Sequence, residues 1–135
     1  MEALPNINLV KVNLYDIKDN YVSYKVASLL KEKKFDDPCN AYYSIVKEKF
    51  NLVLDGYAKN STVGASIIMA PTISEVLAWF RKEDIHITIE FIDGEYLAHF
   101  SYLNKLYEYE DEWPSISNTD YNYVANKIIE YVLNL

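Results

Sequence analysis

The dipeptide Asp93-Gly94, set between two runs that alternate apolar and polar residues, constrains this chain more than any other feature. Asp-Gly readily takes the positive φ angles of a two-residue type I′ turn, so it predicts a β-hairpin. With Ile92 opposite Glu95, residues Ile85, Ile87, Ile89 and Phe91 face Tyr102, Phe100, Ala98 and Tyr96, and that side is wholly apolar. The other side carries His86, Thr88 and Glu90 opposite Ser101, His99 and Leu97. A slip of one residue would turn one apolar set toward water, so agreement between the two strands fixes the register.

The remaining elements follow from spacing. Val10, Val12 and Leu14 alternate within Ile7 to Tyr15 and predict a short strand, so residues 1–18 read as an N-terminal strand or arm. Asp19 is placed to cap a helix reaching Lys34, with Val22, Val26, Leu29 and Leu30 on one face. Lys31, Lys33 and Lys34 then sit where the helix dipole favours cations, and Asp36-Asp37-Pro38 stops the helix. Ala41 to Val46 and Phe50 to Leu54 read as strands joined by Lys47-Glu48-Lys49, and 55–66 as a loop. Ile67-Ile68-Met69 adds a short strand before Thr72 and Glu75, which have capping-box spacing. Ile73, Val76, Leu77 and Phe80 give the following helix one buried face, flanked by Trp79.

After the hairpin, Lys105 to Glu110 reads as a third strand. Trp113-Pro114-Ser115 and Ser117-Asn118-Thr119 read as a loop, with Thr119 or Asn118 capping a final helix through Asn134. Tyr121, Val124, Ala125, Ile128, Val132 and Leu135 keep helical spacing along it. This order lacks the strand-helix-strand alternation of a doubly wound sheet. It predicts an α+β fold, an antiparallel sheet of about four to six strands with three helices mainly on one side. At 135 residues the chain fits a single domain, 1–135, without disulfides or a structural metal.

Charge placement narrows the function classes. Residues 1–82 hold 11 basic and 9 acidic side chains, whereas 83–135 hold 2 and 11, so the last third alone sums to −9 of a net −7. Such a surface repels phosphate backbones, which argues against direct nucleic-acid binding and leaves a basic protein partner open. The thirteen tyrosines, with many Asn, Lys and Ile, are what AT-rich codons favour. Cys39 is the single cysteine, which excludes an internal disulfide and a multi-thiolate metal site and suits a reducing cytoplasm. Met1 to Asn6 lack a basic segment followed by an apolar run, and no stretch nears the roughly 18 apolar residues of a membrane span. The expected localisation is cytoplasmic, with no membrane contact.

Two blocks carry a family resemblance. Phe35-Asp36-Asp37-Pro38-Cys39-Asn40-Ala41-Tyr42-Tyr43 and Ala70-Pro71-Thr72, followed by Trp79-Phe80-Arg81 and Ile85-His86-Ile87, resemble a family of small proteins from Bacteroides-type gut bacteria and their phages and prophages. The resemblance runs from about Tyr21 into the last helix. It implies a phage- or prophage-related protein and assigns no chemistry, since the family has no established activity. Lys34 stands where the family pattern has glycine, and the segment between Arg81 and Ile85 lacks a glycine often found there. Asp120-Tyr121-Asn122-Tyr123 replaces an acidic cluster.

Candidate chemistry is sparse. Cys39 as a thiolate nucleophile would need a base, and both histidines fall on the hairpin, so a small buried cysteine after a turn is the competing reading. His86 and His99 lie diagonally on adjacent strands beside Glu90 and Thr88, a metal pair lacking a third ligand, against a plain solvated face. Gly64-Ala65-Ser66 resembles the start of a nucleophile elbow, but Ile68 occupies the place of the second glycine. No glycine-rich phosphate loop, paired-cysteine motif or HExxH helix is present, so no cofactor and no catalytic residue are expected. The run Tyr107, Glu108, Tyr109, Glu110, Asp111, Glu112 and Trp113 joins rings to acids and is the candidate interaction surface; a charged strand edge that prevents aggregation is the alternative.

These features favour a non-catalytic protein-binding module, with a homodimer through a sheet edge or exposed aromatics as a further option. An acidic nucleic-acid mimic that occupies a host protein is the second reading. A small enzyme or metal-binding protein built on His86 and His99 is the third.

Overall fold

In a computed structural model, residues 20–46, 49–102 and 116–135 are described. The strand expected within 7–15, the strand at 105–110 and the run Tyr107 to Trp113 lie outside these residues. The described elements run α1 (Tyr24–Glu32), β1 (Ala41–Val46), β2 (Lys49–Val53), a 3-10 turn (Asn60–Thr62), β3 (Ile67–Ala70), α2 (Ile73–Lys82), β4 (Ile85–Ile92), β5 (Glu95–Tyr102), β6 (Ile116–Asn118) and α3 (Tyr121–Leu133). The fold is α+β, with three helices and six strands among the described residues.

The six strands divide between two antiparallel sheets, ordered β2-β1-β3 and β4-β5-β6. The break falls where α2 leaves β3: the helix carries the chain away from the first sheet, and β4 then pairs with β5. Buried residues of both sheets nevertheless belong to one apolar cluster, including Val26 and Leu30 of α1, Met69 of β3, Val76 and Phe80 of α2, Phe100 of β5, and Val124, Ile128 and Ile129 of α3. α3 packs on all three strands of the second sheet, and α1 packs between α3 and β3.

The hairpin has the register its sequence dictates, from Ile85 opposite Tyr102 to Ile92 opposite Glu95. Asp93 and Gly94 take φ of 52° and 84° at the turn. The capping box is also present: Thr72 Oγ1 accepts the Glu75 N–H at 3.1 Å, and Glu75 Oε1 accepts the Thr72 N–H at 2.9 Å.

Three boundaries differ from the sequence reading. α1 starts at Tyr24, capped by Ser23, whose Oγ accepts the Val26 N–H at 3.2 Å. Asp19 does not cap it because residues 20–22 are held extended along the 71–73 segment. There the Val22 N–H donates to the Pro71 carbonyl at 3.1 Å, and the Ile73 N–H to that of Asn20 at 2.8 Å. Val22 is buried through that pairing and not as part of a helical stripe. Within 116–118, where a loop was expected, a short strand pairs with β5, and Asp120 in place of Thr119 or Asn118 caps α3. Within 55–66, the Ala58 backbone bridges to Cys39 and a 3-10 turn follows.

Two non-glycine residues outside the hairpin take left-handed backbone angles. Lys34, φ 64°, ends α1, with the Phe35 N–H donating to the Leu30 carbonyl at 2.9 Å; Asp84, φ 58°, turns the chain from α2 into β4. Glycine adopts this conformation without steric cost, so both positions carry an L side chain where glycine would be unstrained.

Candidate functional site

Phe91 and Tyr121, two of the exposed large hydrophobic side chains among the described residues, are joined through Tyr96 where the hairpin tip meets the start of α3. Phe91 of β4 and Tyr96 of β5 are cross-strand partners, with ring centroids 4.9 Å apart. Tyr96 in turn meets Tyr121 edge-on at 5.4 Å, so three rings form a continuous row. Phe91 is 62% exposed and Tyr121 40%, while Tyr96 between them is half-buried. Burial of its hydroxyl, with a smaller contribution from Tyr96, raises the Tyr121 pKa above the ordinary tyrosine value.

Local sequence explains the arrangement. The tight Asp93-Gly94 turn lets the β4–β5 ladder continue to Ile92 and Glu95, whereas β6 ends opposite Tyr96 and α3 starts three residues later. The last rung of the apolar face therefore projects beyond its cover. Asp93 and Glu95 at the turn are exposed, as is Asp120, whose carboxylate caps α3 by accepting the Asn122 N–H at 3.0 Å. Lys127 stands over the Tyr123 ring at 5.7 Å. Rings with exposed carboxylates close by in the chain, Asp93 at the turn and Asp120 at the helix cap, suit a partner segment with arginine or lysine, which stacks its side chain on the rings and pairs its charge with the acids.

His86 and His99 take their expected places, opposite Ser101 and Thr88, with both imidazoles exposed. Glu90 shares their face, but no group of three histidine, cysteine or acidic side chains that could hold a metal occurs among the described residues. Cys39 is buried, its Sγ–H donating to the Asp37 carbonyl at 3.4 Å. Burial, then the charges of Glu75 and Asp37, push its pKa up to about 12, so the thiol stays protonated at neutral pH. That favours the reading of Cys39 as a packing residue.

A shallow, open depression of about 350 Å³ is lined by Lys31, Lys34, Phe35, Asp36, Asn60 and Ser61. Its polar groups serve the fold. Asn60 donates to the Phe35 carbonyl at 3.0 Å and accepts the Met69 N–H at 3.0 Å, while Lys31 Nζ donates to the Ile67 carbonyl at 2.8 Å. Asp36 accepts the Ser61 N–H at 2.7 Å, and hydrogen bonds from the Ser61 side chain and backbone hold its carboxyl below the usual range.

The sequence reading placed Phe91, Tyr96 and Tyr121 on core-facing stripes, correctly as to face, and so missed them as surface. The available signal was length: the apolar alternation runs up to the turn itself, and Asp120-Tyr121-Asn122-Tyr123 puts two rings and an acid in the first turn of a helix. The chain matches no protein-family model, no curated protein and no solved structure. No helix among the described residues is long and apolar enough to cross a membrane.

Proposed function

We propose that this chain is a non-catalytic protein-binding module, phage- or prophage-related and cytoplasmic, that holds a basic segment of another protein on the Phe91–Tyr96–Tyr121 surface. The observation that carries this reading is the row of rings at the hairpin end of the apolar sheet face, Phe91 and Tyr121 exposed and Tyr96 half-buried between them, with Asp93, Glu95 and Asp120 next to it in the chain. Exposed aromatic groups of this kind are enriched where binding energy concentrates, and the carboxylates select the sign of the partner's charge. The acidic run from Glu108 to Glu112, between Tyr107 and Trp113, offers the same chemistry in the sequence. The phage and cytoplasmic attributions rest on the resemblance of the Phe35–Tyr43 and Ala70–Arg81 blocks and on the single cysteine.

The test is affinity capture from a Bacteroides-type lysate at low and high salt, with two variants beside the natural chain. One carries Asp93→Asn, Glu95→Gln and Asp120→Asn, the last keeping a competent helix cap; the other neutralises Glu108, Glu110, Asp111 and Glu112. A basic protein retained at low salt, released by high salt and lost with the first variant supports the reading. A partner indifferent to salt and to both variants overturns it.

A further inference from the structure

We propose that two copies of this chain associate through the outer edge of β4, antiparallel, with the two-fold axis passing through Thr88. Among the described residues β4 pairs only with β5, and none of them pairs with its other edge. It is eight residues long, its ladder with β5 is unbroken from Ile85 to Ile92, and it contains no proline, glycine, lysine or arginine. Proline, a bulge and lysine, three of the usual devices that blunt an edge strand, are therefore missing from it, and Glu90 is its one acidic residue.

Backbone parity points the same way. The two-residue turn makes Ile92 and Glu95 a hydrogen-bonded pair, so alternate residues Glu90, Thr88 and His86 also direct their N–H and C=O groups toward β5. Ile85, Ile87, Ile89 and Phe91 direct theirs outward, to the free edge. The side chains of this outward set share the apolar face with Ala98 and Phe100, yet Ala98 and Phe100 are buried while Ile85, Ile87 and Ile89 are half-buried and Phe91 is exposed. A further strand beside β4 would complete their cover.

The sequence of β4 is complementary to itself. An antiparallel pair of copies keeps both apolar faces together only if the axis passes through a residue, not between two. Centred on Ile87, Asp84 would oppose Glu90 of the second copy, two like charges. Centred on Ile89, His86 would face Ile92 and Thr88 would face Glu90. Centred on Thr88, Ile85 faces Phe91, Ile87 faces Ile89, Thr88 faces its own copy, and His86 faces Glu90 on both sides of the axis. The imidazole N–H can then donate to the carboxylate, twice per dimer. His86, Thr88 and Glu90 lie on the face opposite Tyr96 and Tyr121; Phe91 is shared with the binding surface proposed above, but the pairing argument uses only the edge and register of β4 and does not rest on that reading.

Cysteine cross-linking of the full chain tests it, Cys39 being buried. Thr88→Cys should form a disulfide-linked dimer under mild oxidation, because Thr88 and its copy make a non-hydrogen-bonded pair with Cα atoms about 4.5 Å apart, inside the roughly 4.4–6.8 Å a disulfide spans. His86→Cys alone and Glu90→Cys alone should not link, whereas their mixture should. By sedimentation equilibrium, His86→Glu should raise the dimer Kd about tenfold through facing carboxylates, and His86→Glu with Glu90→His should restore it. A natural chain that sediments as a monomer at every concentration, or a His86→Cys chain that links to itself while Thr88→Cys does not, would overturn the proposal.

Discussion

The side-chain oxygen of Asn126 accepts the backbone N–H of Ser23 at 2.7 Å, joining residues 103 positions apart. Ser23 is the cap of α1 and Asn126 lies in the middle of α3, so one amide ties the start of one helix to the flank of another. Its NH₂ group donates to the Asn122 carbonyl at 2.9 Å and to Asn122 Oδ1 at 3.0 Å, which fixes the orientation of the amide. An ion pair between Lys25 and Glu130, at 2.8 Å, spans the same two helices, but the lysine is exposed and adds little.

Asn126→Leu should therefore destabilise the fold by about 1 to 2 kcal/mol, since the Ser23 N–H loses its acceptor in a part-buried site. Urea denaturation measures this, and Lys25→Ala on the same helix pair should cost under about 1 kcal/mol. Equal losses would contradict the assignment of the amide as the main polar tie.

Tyr43 gives a stability change with a defined pH window. Its buried hydroxyl donates to the Val22 carbonyl at 2.6 Å, and burial pushes its pKa up to about 12. In the unfolded chain the group ionises near the ordinary value of about 10. The raised pKa means that the unfolded state releases its proton first, so stability is full below pH 10 and falls as pH rises from 10 toward 12. Tyr43→Phe should cost about 1 kcal/mol at neutral pH from the lost hydrogen bond and should flatten the alkaline decline. An unchanged alkaline limb in urea titrations at several pH values would contradict it.

Lys34 and Asp84 hold left-handed angles that L side chains occupy at a cost. Lys34→Gly should stabilise the chain by about 0.5 to 1 kcal/mol, the relief of strain exceeding the entropy glycine loses on folding. Asp84→Gly should gain less, because aspartate tolerates this region. Urea midpoints decide, and a lower midpoint for Lys34→Gly would contradict the strain argument.

Cys39 should be unreactive in the folded chain. A thiol with a pKa near 12 exposes almost no thiolate at neutral pH, and burial blocks reagent access. Labelling with a disulfide reagent should proceed at the rate of unfolding and become immediate in concentrated urea. Rapid labelling of the native chain would contradict its placement.

The parts of this fold that are local and periodic can be read from residue order. Asp93-Gly94 and the matching alternation on either side determine a register, and Thr72 with Glu75 determines a helix start, because each is settled by residues within one element. Asp19 was mistaken for a cap because the competing use of residues 20–22, pairing along Pro71 to Ile73, depends on a contact about fifty positions away. Ser117 and Asn118 read as loop residues because polar side chains carry no sign of a neighbouring strand, yet β5 supplies one. The same limit hid the candidate surface. Phe91, Tyr96 and Tyr121 have core spacing, and only the relative lengths of β4, β5, β6 and α3 leave Phe91 and Tyr121 exposed and Tyr96 half-buried.

Amide hydrogen exchange of the full chain, alone and with its captured basic partner, tests the central claim most directly. The account predicts new protection confined to the hairpin tip, residues 91–96, and the first turn of α3, residues 121–124, with loss of both effect and binding in Phe91→Ala combined with Tyr121→Ala. Protection centred instead on β1, β2 or the Lys31–Asn60 depression, with the ring variant binding normally, would contradict it.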